Sequence, residues 1–151
     1  FLPDYICSSM VRLVTFKNGE FYMHPTTSSS RNNFYGIQYP MNLSFSSNKA
    51  PSDTKAYKGI FTESTEPFSM TANTQSGQLT ELATTDFEFR EGVYYASILR
   101  DKNTPNELYP LLNGDTMRGP SMLINLSSDV STPQKVFAVG VRFDVSMLTN
   151  K

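Results

Sequence analysis

DFEFREGVYYASILRDKNTPNELYPLLNGDTMRGPSMLINL, residues 86–126, holds the densest run of local signals in the chain. It opens as a strand, turns at Glu91-Gly92 and continues as a second apolar run, Val93–Leu99. A polar excursion marked by Pro105 and Pro110 follows, then a turn at Asn113-Gly114. The chain re-enters an apolar strand, Met122–Leu126, after Met117-Arg118-Gly119-Pro120. Short apolar runs separated by Gly, Pro, Asn and Asp are the pattern of strands and turns.

Outward from this stretch the same rhythm persists. Upstream, Leu82–Arg90 alternates, with Phe87 and Phe89 on one face and Asp86, Glu88 and Arg90 on the other. In Gly36–Phe45, the residues Ile37, Tyr39, Met41, Leu43 and Phe45 point one way, and Pro40 marks an edge strand or a bulge because it lacks an N–H. Ala56–Thr62 and Phe68–Ala72 read as shorter strands. Downstream, Phe137, Val139, Val141, Phe143 and Val145 alternate with Ala138, Gly140, Arg142 and Asp144. Near the start, Met10–Phe16 and Phe21–His24 flank Asn18-Gly19, a two-residue hairpin signal because both turn positions require positive φ. Pro25–Asn33 is a Ser/Thr/Asn loop that a partner would have to order, and a short helical turn is possible at Asn106–Leu112. No helical period is sustained over three turns.

The expected fold is all-β, a β-sandwich or jelly-roll-like arrangement of antiparallel sheets with long loops. Residues 1–9 read as a linker or tether, and 10–151 as one β-sandwich domain. At 151 residues, such a domain can bury about 68–70% of its unfolded surface without staples. The chain begins with Phe1 in place of Met and is expected to be a piece of something longer.

Composition narrows the function. Thirteen Lys and Arg against fourteen Asp and Glu give a net charge of −1 with no block of one sign. That argues against a general electrostatic grip on nucleic acid or on an anionic membrane. No apolar run approaches the ~18 residues of a membrane span. Cys7 is the only cysteine, so no internal disulfide can form. Eleven Phe and eight Tyr, with no Trp, suit strand cores.

Candidate chemistry is thin. His24 is the only histidine, sits beside Pro25 at a strand end and has no second imidazole to complete a metal site. Cys7 has no nearby cation to activate its thiol. Asp86 and Glu88 share a strand face and could form a glycosidase-like carboxylate pair, but alternation with Phe87 and Phe89, and Arg90 next along, describes a solvated face better. Asp101, Asn103, Asn106 and Glu107 are oxygen-rich yet lack the spacing of a calcium loop. Asn42-Leu43-Ser44 and Asn125-Leu126-Ser127 fit the glycosylation pattern but fall inside strands. No cofactor is implied.

The arginines are more informative. Arg100-Asp101-Lys102 closes the run Val93–Leu99, and Arg118 precedes a buried-looking strand. The expectation is that Arg118 pairs with Asp101 or Asp115 and fixes the excursion to the sandwich, because a buried arginine needs a partner. Arg100, Asp101, Asp115 and Arg118 are therefore the structural or interaction candidates, with no catalytic or metal residue among them.

Five of these segments, Phe89-Arg-Glu-Gly-Val-Tyr-Tyr-Ala, Arg100-Asp-Lys, Leu112-Asn-Gly-Asp, Met117-Arg-Gly and Met122-Leu-Ile-Asn-Leu, resemble a pattern in tail and neck structural proteins of short-tailed bacteriophages, notably the crAss-like phages of gut Bacteroidales. Phe45–Ile60 is similar to another recurring piece of the same proteins, and the likeness covers roughly residues 43–145. The resemblance implies a β-rich terminal domain of a long virion protein of the phage tail, of the kind forming a muzzle assembly around the DNA exit channel. Its partners would be other copies of itself and neighbouring tail and neck proteins, with no specific nucleic acid and no catalytic residues. The rival readings are a host-receptor or carbohydrate-binding β-sandwich that contacts a host surface glycan, and a hydrolase using Asp86 and Glu88.

Overall fold

The computed structural model describes residues 2–9, 11–24, 30–103 and 114–146. The expected helical turn at Asn106–Leu112 and most of the Pro25–Asn33 loop lie outside the described residues. By backbone contacts the chain divides into two compact units, Phe1–Met41 with Asp129–Pro133, and Asn42–Ser128 with Gln134–Lys151, where the sequence reading had placed one domain. Every strand pairing whose register is described is antiparallel, and the described residues contain no α-helix.

The first unit is built on a three-stranded sheet in the order β1 (Tyr5–Ser9), β2 (Arg12–Lys17), β3 (Glu20–His24). The stretch expected as a tether is thus mostly a strand. Tyr5 pairs with Phe16 and Cys7 with Val14, so the ladder supplies hydrogen bonds that no local pattern in residues 1–9 announces. Asn18 and Gly19 take φ of 52° and 82°, the left-handed pair that the hairpin demands. A second hairpin, β4 (Asn33–Phe34) and β5 (Ile37–Gln38), turns at Tyr35-Gly36, also with positive φ (56° and 79°). Tyr35 stacks edge-on against Tyr22 at 4.6 Å, and its hydroxyl donates to Thr15 Oγ1 at 3.1 Å. Thr15, fully buried, also bonds His24 Nε2 at 3.0 Å.

The second unit pairs two sheets. One runs β6 (Met41–Ser47), β13 (Met122–Ser128), β8 (Ser69–Thr74), β9 (Leu79–Leu82). The other is centred on β7 (Lys55–Ser64), which takes β11 (Val93–Ser97) and β12 (Arg118–Gly119) along one edge and β14 (Val136–Val145) along the other; β10 (Glu88–Arg90) lies outside β11. Alternate residues from both sheets are buried together: Tyr57 and Ile60 from β7, Met70 and Ala72 from β8, Leu82 from β9, and Met122, Ile124 and Leu126 from β13. Each large apolar side chain of this kind contributes about 1.5–3 kcal/mol, which makes this set the core of a β-sandwich.

Two sequence expectations are revised by local chemistry. Gly36–Phe45 is not one strand: the ladder stops after Gln38 and restarts at Met41, with Pro40 between them unable to donate a hydrogen bond. β6 does lie at a sheet edge. Likewise Leu82–Arg90 is broken by a 3₁₀ turn at Thr84–Asp86, held by the Asp86 carboxylate accepting the Ala83 N–H at 2.7 Å. The break separates the two phenylalanines: Phe87 is buried while Phe89 is exposed.

Register is irregular at one point that matters. Arg142 faces Gly59 and Phe143 faces Tyr57, so Lys58 has no opposite number on β14. This bulge shifts the alternation by one, which lets both Tyr57 and Ile60 point into the core. A second irregularity leaves Phe137 unpaired, between Val136 and Ala138.

Candidate interaction surfaces

The four residues singled out from sequence gather at the base of the excursion, all in the second unit. The Asp101 N–H donates to the Asp115 carbonyl at 2.9 Å, and Arg100 Nη1 donates to the Gly114 carbonyl at 3.2 Å. The two ends of the excursion are therefore tied to each other. They are also tied to the β8–β9 turn. Asp101, buried, accepts the N–H groups of Leu79 (2.8 Å) and Asn103 (3.0 Å) on one carboxylate oxygen. Lys102 N–H reaches the Leu79 carbonyl, and Asn103 Nδ2 the Gly77 carbonyl. Gln78 bridges to the other end, its Nε2 donating to the Thr116 carbonyl and its Oε1 accepting the Arg118 N–H at 2.7 Å. A bonded carboxylate with low exposure is stabilised by such donors, each worth about 1.5–3 kcal/mol when the acceptor is charged.

Arg118 lies 3.9 Å from Asp115, not against Asp101. The pair is partly solvated, with Asp115 58% exposed, so its worth falls toward the surface range of about 0–1 kcal/mol. Asn106 and Glu107 lie outside the described residues. Among the described residues no group of three His, Cys, Asp or Glu could hold a metal ion.

The Asp86 and Glu88 carboxylates line an open groove on the outer face of the β10-β11-β7-β14 sheet. Phe61 and Tyr95 form its floor, tilted at 39° with centroids 6.2 Å apart, and Arg90, Glu91 and Arg142 flank them. The Phe61 ring lies over Gly140: a side chain at that glycine would overlap the ring. Sequence reading placed the acids but not the aromatic floor, because Phe61, Tyr95 and Gly140 meet only through long-range register. Asp86 is engaged as the cap of its 3₁₀ turn, and Glu88 is paired with the exposed Arg90. That is the contact pattern of a solvated face.

Lys55 was missed altogether. It is fully buried, with Nζ donating to the Ala50 carbonyl at 2.9 Å and lying 5.6 Å from the Phe143 ring centroid. Backbone carbonyls and a ring face, neither visible in sequence, make that burial tolerable.

In the first unit, apolar side chains on one face of the three-stranded sheet stand in solvent on its two outer strands, while Val14 on the central strand is buried. Tyr5, Phe21 and Met23 are 69%, 64% and 39% exposed, and they share that face with Cys7, Val14 and Phe16. Cys7 is exposed and unbridged. On the opposite face Asp4 accepts from Lys17 Nζ and from the Asn18 N–H, both at 2.8 Å, which holds its carboxyl below the usual value. The Tyr22 hydroxyl donates to Glu20, and that bond raises the phenol above its ordinary value. No helix among the described residues is long and apolar enough to cross a membrane.

Residues 29–101 match the family model of the Crassvirus muzzle protein C-terminal domain. No curated protein matches the chain. The matched stretch runs through the central strand β7 and both groove strands β10 and β11, and ends at Asp101. It includes the Phe45–Ile60 and Phe89–Ala96 segments, whereas Leu112–Asp115, Met117–Gly119 and Met122–Leu126 lie beyond it.

Proposed function

With residues 29–101 matching the C-terminal domain of the Crassvirus muzzle protein, a structural component of the phage virion, we propose that this chain works as an assembly domain of the phage tail, through contacts with copies of itself and with neighbouring tail proteins. The observation that carries this reading is the exposed apolar rim of the sheet face in the first unit, where Tyr5, Phe21 and Met23 stand in solvent on the two outer strands. Three strands cannot bury such a face alone, and exposed apolar patches mark protein contacts. In this reading Arg100, Asp101, Asp115 and Arg118 tie the two ends of the excursion to each other and to the β8–β9 turn.

A second reading, a module for host surface glycans, has its own support in the Phe61–Tyr95 floor ringed by Asp86, Glu88, Glu91 and Arg142. Aromatic faces with flanking charged groups suit sugar rings. Sedimentation of the purified chain together with a glycan array separates the two. Defined multimers without glycan binding support assembly; a monomer that binds one glycan, and loses it on Tyr95→Ala, overturns assembly in favour of recognition.

A further inference from the structure

We infer that β14 is a docking strand for a second copy of this chain, pairing antiparallel with the same strand of its twin about a two-fold axis at Phe143. The inference deepens the assembly reading and rests on it, but it comes from β14 alone.

β14 is ten residues long and is paired only along its β7 edge among the described residues. Long edge strands attract other chains and are usually blunted by Pro, by Lys or by bulges. Here the bulge at Phe137 disturbs one end of β14; Ala138–Val145 carries no Pro or Lys, and the irregularity between Arg142 and Phe143 comes from an extra residue on β7, so β14 itself runs on unbroken there. The direction of the backbone groups can be read from the last bond of the ladder. Ser146 N–H donates to the Thr54 carbonyl at 2.7 Å, so even-numbered residues at this end turn their N–H and C=O toward β7. Antiparallel ladders alternate, and therefore Val141, Phe143 and Val145 present theirs to the open side.

A symmetric pair must place outward-facing residues opposite one another. Centred on Phe143, the register sets Phe143 against its twin, Val141 against Val145 and, in the closer non-bonded pairs between them, Arg142 against Asp144 twice. Opposite charges directly across a ladder stabilise it. Neither Arg142 nor Asp144 belongs to an ion pair within the chain among the described residues. Moving the axis to Val141 would set Arg142 against Gly140 and Asp144 against Ala138, and neither charge would then be matched. On the inner face the pairing brings Val145, 61% exposed, against Val141 of the twin. A self-complementary patch of this kind is what a two-fold interface requires.

The test is a charge reversal read by sedimentation equilibrium on the whole chain. Arg142→Asp and Asp144→Arg each convert two attractive pairs into two repulsive ones, and each should weaken self-association by about tenfold to a hundredfold. Mixed one to one, the two variants should form a heterodimer, and the double swap should self-associate like the parent. Both side chains are exposed, so melting temperatures should hold. Independently, amide exchange at Val141, Phe143 and Val145 should slow as the concentration of the parent chain rises. A parent that is monomeric at about 1 mM with concentration-independent exchange overturns the proposal. So does association that survives both reversals; that result would leave the assembly reading standing and move the contact off β14.

Discussion

Replacing Gly114 by alanine tests how tightly the base of the excursion is closed. Gly114 has φ of +78°, and a methyl there would overlap the Asp101 carbonyl oxygen and lie 2.9 Å and 3.1 Å from the Asp101 carbonyl carbon and nitrogen. These are backbone atoms with little room to yield. The left-handed conformation alone costs an alanine about 1–2 kcal/mol. Relieving the overlap also means moving Asp101 away from Asp115, which gives up one backbone bond worth about 1 kcal/mol and loosens the Leu79 and Asn103 bonds to the buried carboxylate, worth about 1.5–3 kcal/mol. The expected loss is therefore about 4 kcal/mol. Gly92→Ala is the internal control: Gly92 has φ of +87° with nothing within 4 Å of its would-be Cβ, so only the conformational part, about 1–2 kcal/mol, applies. Urea unfolding followed by tyrosine fluorescence measures both. If the two variants fell within about 0.5 kcal/mol of each other, the span of measured error between independent sites, the claim that Gly114 seats against Asp101 would be wrong.

Arg118→Ala should cost only about 0.5–1 kcal/mol, because Asp115 is well solvated; a loss above about 3 kcal/mol in thermal melts would restore the buried-pair expectation. Thr15→Val removes a buried hydroxyl shared by His24 and Tyr35 and should destabilise the first unit by about 1–2 kcal/mol, seen as faster exchange of β2 and β3 amides. Burial pushes the Tyr57 phenol up to about 12. A raised value means its contribution is complete below the ordinary tyrosine range and is lost as pH climbs through about 12, so absorbance near 295 nm should show one tyrosine ionising together with alkaline unfolding. Asp4 has the opposite sign: its lowered carboxyl contributes above the usual value of 3.8 and is lost as pH falls through its folded value. Asp4→Asn should remove that acid sensitivity from the β1–β2 pair.

What could be read in the sequence was what is local. Asn18-Gly19 turns as a hairpin with positive φ at both positions, because Asn and Gly each tolerate that conformation, and Glu91-Gly92 does so with its glycine as the signal. Tyr35-Gly36 does the same thing unannounced, since an aromatic at the first turn position is no signal. Asp86 shows the reverse failure. It completes an alternating pattern on paper, yet its carboxylate caps a 3₁₀ turn instead, a local hydrogen bond that competes with the strand. Of the interaction candidates, Asp101 was found for its place beside Arg100, but its carboxylate accepts from backbone N–H groups, that of Asn103 close by and that of Leu79 more than twenty residues away. The groove floor was invisible for the same reason: Phe61 and Gly140 are brought together by strand pairing that no window of neighbouring residues encodes.

Lys58, the residue without an opposite number in β7, works as a phase shifter. Everything before it keeps time with Tyr57, and everything after it keeps time with Ile60. Deleting it would leave the two strands equal in count and set Tyr57 and Ile60 two residues apart, so a regular ladder without the bulge would still turn both, and the Thr62–Ser64 row after them, toward the core. The strand can thus lose Lys58 and keep its phase, whereas a single residue lost between Ile60 and Ser64 has no bulge to absorb it and would turn the rest of that row to solvent.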